Sequence, residues 1–174
     1  MESVVLSLGS NLGDQYIYIS QMEESLFSIL KGVLRKSDLL RTEPLGVESQ
    51  PWFINRIVSG SFEGTAQQLL ECTREIEKKL GRDNKKQMAP RTADIDILLF
   101  GGQIINTSEL VIPHPRMLFR RFCLEGMNQI VPDWLIPGTG MSVSEHYKQM
   151  GPQIRAQRIF NFHEKGSDYS DDRP

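Results

Sequence analysis

The chain has 174 residues, 39% of them hydrophobic and 24% charged, with a formal net charge of -2 at pH 7. That length and apolar content suit one domain around one core, and the near-balanced charge excludes the broad cationic field that attracts nucleic acid or anionic lipid without specificity. Any phosphate binding must therefore be local. Cys72 and Cys123 lie in apolar segments without metal-ligand spacing, and MESVVLSLGS has no basic residue ahead of its short apolar run. These features predict reduced thiols, a cytoplasmic setting and no exported or membrane-spanning segment.

Residues 4–8 are β-branched and apolar and predict a strand ended by Gly9, after which Asp14 is an N-cap. The helix it starts carries Tyr18, Met22, Leu26, Ile29 and Val33 as its apolar stripe. Residues 33–41 read as a second strand, and Thr42-Glu43-Pro44-Leu45-Gly46 as a loop. Over residues 52–62 a two-residue period places Phe53, Asn55 and Ile57 on one strand face and Trp52, Ile54 and Val58 on the other.

Thr65 with Gln68 forms a capping box, and Leu69, Leu70, Thr73, Ile76 and Leu80 make a stripe that stops at Gly81. Glu77, at the edge of that stripe, is either a boundary residue reaching for water or an acid facing a ligand. Residues 82–90 are polar and basic and predict a mobile loop that closes over nucleotide. Residues 93–100 predict a strand, Gly101-Gly102 a turn and residues 103–105 a strand returning alongside it. Pro113-His114-Pro115 breaks the chain before a short helix around residues 121–130, and His146 and His163 are expected at the surface without a role. A single domain over residues 1–164 is expected to precede a disordered tail at 165–174. The whole reads as an α+β sandwich with a mostly antiparallel sheet.

In the segment 93–100, Asp94 and Asp96 are two residues apart, so a strand projects both carboxylates from one face, at roughly 7 Å between Cα atoms, opposite Ile95, Ile97 and Leu99. Two anions so placed repel unless a cation lies between them, and magnesium is commonly held by one or two carboxylates together with substrate phosphates. Alone, such a pair is most often two solvated aspartates. Arg91 precedes it by three residues, however, and Arg82, Lys85 and Lys86 precede both. Acids for a metal beside bases for phosphate are what a nucleoside triphosphate site without a P-loop requires, and no P-loop or dinucleotide fingerprint is present.

The run Ala89-Pro90-Arg91-Thr92-Ala93-Asp94-Ile95-Asp96-Ile97-Leu98 resembles the signature of 6-hydroxymethyl-7,8-dihydropterin pyrophosphokinases. Four further segments occur in family order: residues 8–14 (LGSNLGD), 41–46 (RTEPLG), 50–55 (QPWFIN) and 111–117 (VIPHPRM). The resemblance spans about residues 4–135 and implies a ferredoxin-like α/β/α sandwich. It also implies attack by the pterin hydroxymethyl oxygen on the β-phosphorus of ATP, with AMP leaving and two Mg2+ ions holding the triphosphate. Asp94 and Asp96 match the metal pair and, with Arg82 and Arg91, the catalytic set. Glu77, Arg82, Lys85, Arg91, Ile97, His114 and Arg120 fall on the ATP side.

On the pterin side the resemblance pairs Phe53 with Phe122 as the faces of a ring clamp and gives the ring edge to Asn55, Thr42 and Leu45. A flat polar heterocycle does need aromatic faces and a hydrogen-bonding edge, although a lone phenylalanine is more often core. Gln87 and Met88 depart from the family's usual charged and aromatic choices. A monomer is expected, open to association with other folate-pathway enzymes. The rivals are another magnesium-dependent nucleotidyl or phosphoryl transferase or a phosphodiesterase, which should lack the aromatic clamp, and an idle pterin or nucleotide-binding module.

Overall fold

The computed structural model describes residues 1–46, 49–82 and 89–162. β1 (Glu2–Ser10) leads through Asp14, whose side chain accepts the Ile17 N–H, into α1 (Gln15–Ile29). The helix ends earlier than its apolar stripe suggested. Val33 lies on β2 (Lys31–Lys36) and is 75% exposed, while Ile19 takes the buried place expected of Tyr18. β3 (Leu40–Thr42) and β4 (Phe53–Phe62) follow, then α2 (Ala66–Lys79) behind the predicted Thr65–Gln68 capping box. Such a box is worth about 1 kcal/mol to a helix.

β5 (Asp94–Phe100) completes the central sheet, whose strands run in the order β5-β1-β4-β3, with β2 pairing a separate stretch of β4. Taken with β2 and β3 as one interrupted strand, this is a β-α-β-β-α-β unit with every pairing antiparallel, the ferredoxin-like arrangement. The expected α+β sandwich is present. Beyond β5, the short pair β6 (Ile105–Asn106) and β7 (Val111–Ile112) precedes α3 (Arg121–Ile130), α4 (Val143–Lys148) and α5 (Pro152–Arg155). Finally β8 (Ile159–Asn161) adds itself to the outer edge of β3.

The predicted return of residues 103–105 along β5 does not occur. Gly101-Gly102 does turn the chain, but the outer edge of β5 is already taken: the Ile95 N–H donates to Glu77 Oε1 at 2.7 Å, and the Leu98 carbonyl accepts the His114 N–H at 2.9 Å. Residue 105 pairs with Ile112 instead.

Alternation splits the sheet into two packed faces. Val4, Leu6, Leu8, Ile54, Val58, Ile95 and Ile97 meet α1 and α2, whereas Val5, Ile57, Leu98 and Leu99 meet α3 and α4. α3 comes close enough to β4 that a Cβ on Gly126 would sit 2.3 Å from Ile57 Cγ1. Leu99 therefore lies on the face opposite to Ile95 and Ile97, contrary to strict alternation. The register slips between Val5↔Leu99 and Leu6↔Ile97, so Leu98 is an extra, bulged residue. Among the described residues no helix is long and apolar enough to cross a membrane, and both cysteines are free thiols.

Candidate active site

Where the α3 face of the sheet is left uncovered, the strands present Ser7 and Gly9 from β1, Phe53 and Asn55 from β4, and Asp94 and Asp96 from β5. Pairing explains this convergence, because Gly9 stands beside both Asn55 and Asp94 in register. These residues floor an open cleft. Thr42, Glu43, Pro44, Leu45 and Gln50 form one rim, and Arg91, Arg116, Arg120 and Phe122 the other. A Cβ at Gly9 would meet Asn55 Oδ1 at 2.8 Å, so glycine is what lets the amide lie flat against β1. Asn55 is buried and donates from Nδ2 to Thr42 Oγ1 at 2.7 Å.

The two aspartates are each flanked by cations. Asp94 receives Arg91 Nη2 at 2.5 Å and Arg82 Nη1 at 2.7 Å. Asp96 receives Arg120 Nη1 at 3.2 Å, with His114 Nε2 at 3.8 Å. The same two arginines cover the two phenylalanines: Arg91 lies 5.5 Å from the Phe53 centroid and Arg120 5.9 Å from that of Phe122. Each arginine thus ties one carboxylate to one aromatic wall. His114 Nδ1 accepts the Arg116 N–H, which leaves the proton on Nε2, and burial holds the ring below the usual imidazole range despite Asp96.

Glu77 takes neither role foreseen for it in full. It is buried, accepts the Ile95 N–H and pairs with Arg82, which in turn reaches Asp94. Burial pushes its carboxyl up to about 7 against the pull of the Arg82 charge and the Ile95 N–H. It therefore supports the site from beneath the strand edge. The Ile97 side chain also does not line the cleft, since it packs in the α1–α2 core. Lys85, and most of the loop expected to close over nucleotide, lie outside the described residues.

Several contributors carried no role on sequence grounds. Asn11 Oδ1 accepts the Arg91 N–H at 2.8 Å while its Nδ2 donates to Gln50 Oε1 and the Pro51 carbonyl, joining the two rims. Ser7, Gly9 and Arg116 also line the cleft. Gly9, Asn11 and Arg116 stand inside the family-like segments, which was the available signal. Among the described residues no three His, Cys, Asp or Glu side chains group to hold a metal by themselves. Two carboxylates on one face do fit a hard divalent ion that takes its remaining oxygens from water or substrate.

The family model for 7,8-dihydro-6-hydroxymethylpterin-pyrophosphokinase matches residues 5–132. The chain is 40% identical over 126 residues to the 2-amino-4-hydroxy-6-hydroxymethyldihydropteridine pyrophosphokinase of Bacillus subtilis, covering 72% of this chain and 75% of that one. It is 36% identical over 172 residues to the folic acid synthesis protein fol1 of Pneumocystis carinii, where the match takes 97% of this chain but only 23% of the fungal protein. A crystal structure of Plasmodium falciparum HPPK-DHPS with pteroate superposes with a TM-score of 0.67 at 14% identity, over 84% of this chain and 44% of that one, which speaks to the fold. By the span of the family match and by its bacterial relative, the chain belongs to the 7,8-dihydro-6-hydroxymethylpterin-pyrophosphokinase family.

Proposed function

We propose that the chain transfers a pyrophosphoryl group from ATP to the hydroxymethyl oxygen of 6-hydroxymethyl-7,8-dihydropterin, giving the pterin diphosphate and AMP in folate synthesis. The observation that carries this reading is one cleft that unites an aspartate pair, its cations and two phenylalanines with a buried Asn55–Thr42 edge. Phe53 and Phe122 take the faces of the pterin, while Asn55, Thr42 and the backbone at Leu45 take its polar edge. With the ring so held, the hydroxymethyl group points along the floor toward the aspartates.

Asp94 and Asp96 are the residues that would hold two magnesium ions, which would supply charge neutralisation for the triphosphate. When the carboxylates are engaged in that way, Arg91, Arg82 and Arg120 are available to turn their N–H groups to phosphate oxygens. Arg116 adds to the same positive field. His114, neutral with a proton on Nε2, donates a hydrogen bond without adding repulsive charge near the arginines. Ile97 could serve the nucleotide only through its backbone. Catalysis in this arrangement is positioning and charge stabilisation, and no covalent enzyme intermediate is needed.

The same proposal takes a working monomer and a single domain over residues 1–164. Free thiols support a cytoplasmic setting. The relative from Chlamydia muridarum is named a folate synthesis bifunctional protein, which supports association with neighbouring folate enzymes. The test is AMP release on mixing protein, ATP, magnesium and the dihydropterin. AMP should form only when both substrates are present; release that ignores the pterin would point to a different phosphoryl or nucleotidyl transferase, and none at all to a binding module.

A further inference from the structure

Residues 155–161 lie beyond the family match, which ends at residue 132, yet they touch both rims of the cleft. On one side, α3 begins at Arg121 with no side-chain cap from its own N-cap residue, Arg120. The missing acceptor comes from 36 residues away: Gln157 Oε1 accepts the Arg121 N–H at 2.8 Å, and Gln157 Nε2 donates to the Phe119 carbonyl at 2.8 Å. Arg121 answers by donating from Nη1 to the carbonyls of Arg155 and Gln157. Arg120 and Phe122, which flank this capped position, line the cleft.

On the other side, Arg158 grips Glu43 twice, its N–H to Oε1 at 2.9 Å and its Nε to Oε2 at 2.8 Å, while the Glu43 N–H donates to the Arg158 carbonyl. Those bonds hold the Glu43 carboxyl below its ordinary range. Trp52, next to Phe53, is contacted by the same segment, with Phe160 stacked at 5.8 Å and the Arg158 guanidinium 5.0 Å from its centroid. We infer that residues 155–161 are a positioning strap that sets the separation of the two cleft walls, Gln157 fixing the Arg120–Phe122 side and Arg158 the Glu43–Leu45 side. Adding β8 to the edge of β3 gives the strap a rigid footing, because its backbone is bonded into the sheet. This rests on the pterin reading of the cleft: the strap governs the fit of the flat ring between the walls, and neither Gln157 nor Arg158 touches substrate.

The test compares Gln157→Ala, Arg158→Ala and Arg158→Lys with the unaltered protein, by calorimetric titration of dihydropterin in the presence of a non-hydrolysable ATP analogue, with steady-state kinetics alongside. Each alanine variant should raise the pterin Kd and KM by about three- to fivefold, the scale of one partly exposed charged or polar contact. The ATP KM should stay within about twofold, and Arg158→Lys, which keeps the charge that alanine removes, should recover part of the loss. Folding is followed by thermal melting. If Arg158→Ala fails to fold, Arg158→Lys must still weaken pterin binding. Folded variants with unaltered pterin affinity, or an equal loss for ATP and pterin, would overturn the strap. An unaltered protein that makes no pterin-dependent AMP would instead remove the functional reading on which the strap rests.

Discussion

The two faces of the central sheet are made by the same strands yet differ in what they leave open. Toward α1 and α2, β1 presents Val4, Leu6 and Leu8 in succession, and the apolar contact runs the length of the strand. Toward α3 and α4 the same strand presents Val5, then Ser7, then Gly9, and burial gives way to the cleft. β5 repeats the change in reverse, with Leu98 and Leu99 under α3 and Asp96 and Asp94 beyond it. The contrast teaches that one strand can keep its stability on one side and its chemistry on the other, because successive residues point to opposite faces. Substitutions on the two faces should therefore fail in different ways.

The largest effect is expected at Asp96. Asp96→Ala should lower pterin-dependent AMP release by on the order of 10²-fold or more while the melting temperature stays within a few degrees, since the loss is of charge placement and not of core. Near-ordinary turnover at ordinary magnesium would erase the distinction between the faces. The reciprocal change, Leu8→Ala, removes a fully buried side chain from the closed face and should cost about 2–5 kcal/mol of stability in denaturant titration. Its KM values should hold wherever the protein remains folded.

Gly9→Ala sharpens the comparison, because the added methyl group points at Asn55 Oδ1 on the open face. The expected outcome is a rise of about tenfold in pterin KM with little change for ATP, and a stability loss near 1 kcal/mol. A pH-dependent effect concerns Glu77, beneath the edge of β5. Its carboxyl keeps a proton in the folded chain up to about pH 7, whereas an unfolded glutamate releases it near its ordinary value of 4.5. The folded state holds the extra proton between those values, so this group's contribution to stability falls as pH rises from about 4.5 to about 7 and levels off above. Urea midpoints of wild type and Glu77→Gln, followed from pH 5 to 8, should diverge with pH over that window; a constant gap would show the carboxylate already charged throughout.

What depended on local geometry could be read in the residues. The Thr65–Gln68 box, the Asp14 cap, the shared face of Phe53 and Asn55 and that of Asp94 and Asp96 each need only a few consecutive positions, and all stand as expected. What depended on occupancy of a strand edge could not. Gly101-Gly102 is a fair hairpin turn, but whether a strand returns is decided by Glu77 and His114, which hold that edge from 18 and 16 residues away. Val33 followed the helical spacing of α1 and fell beyond its end. Gln157 and Arg158 carry no local sign of their task, because a cap supplied across 36 residues has no spacing to recognise.

The extra residue at Leu98 has a consequence for how the strand could evolve. Under unbroken alternation Asp94, Asp96 and Phe100 share a parity, so either the aromatic ring would turn to the α3 side, past Leu98 and away from the cleft, or the two acids would be forced under the first pair of helices. One surplus leucine inverts the parity midway. The acids can then be selected for their substrate and Phe100 for its packing without either choice constraining the other.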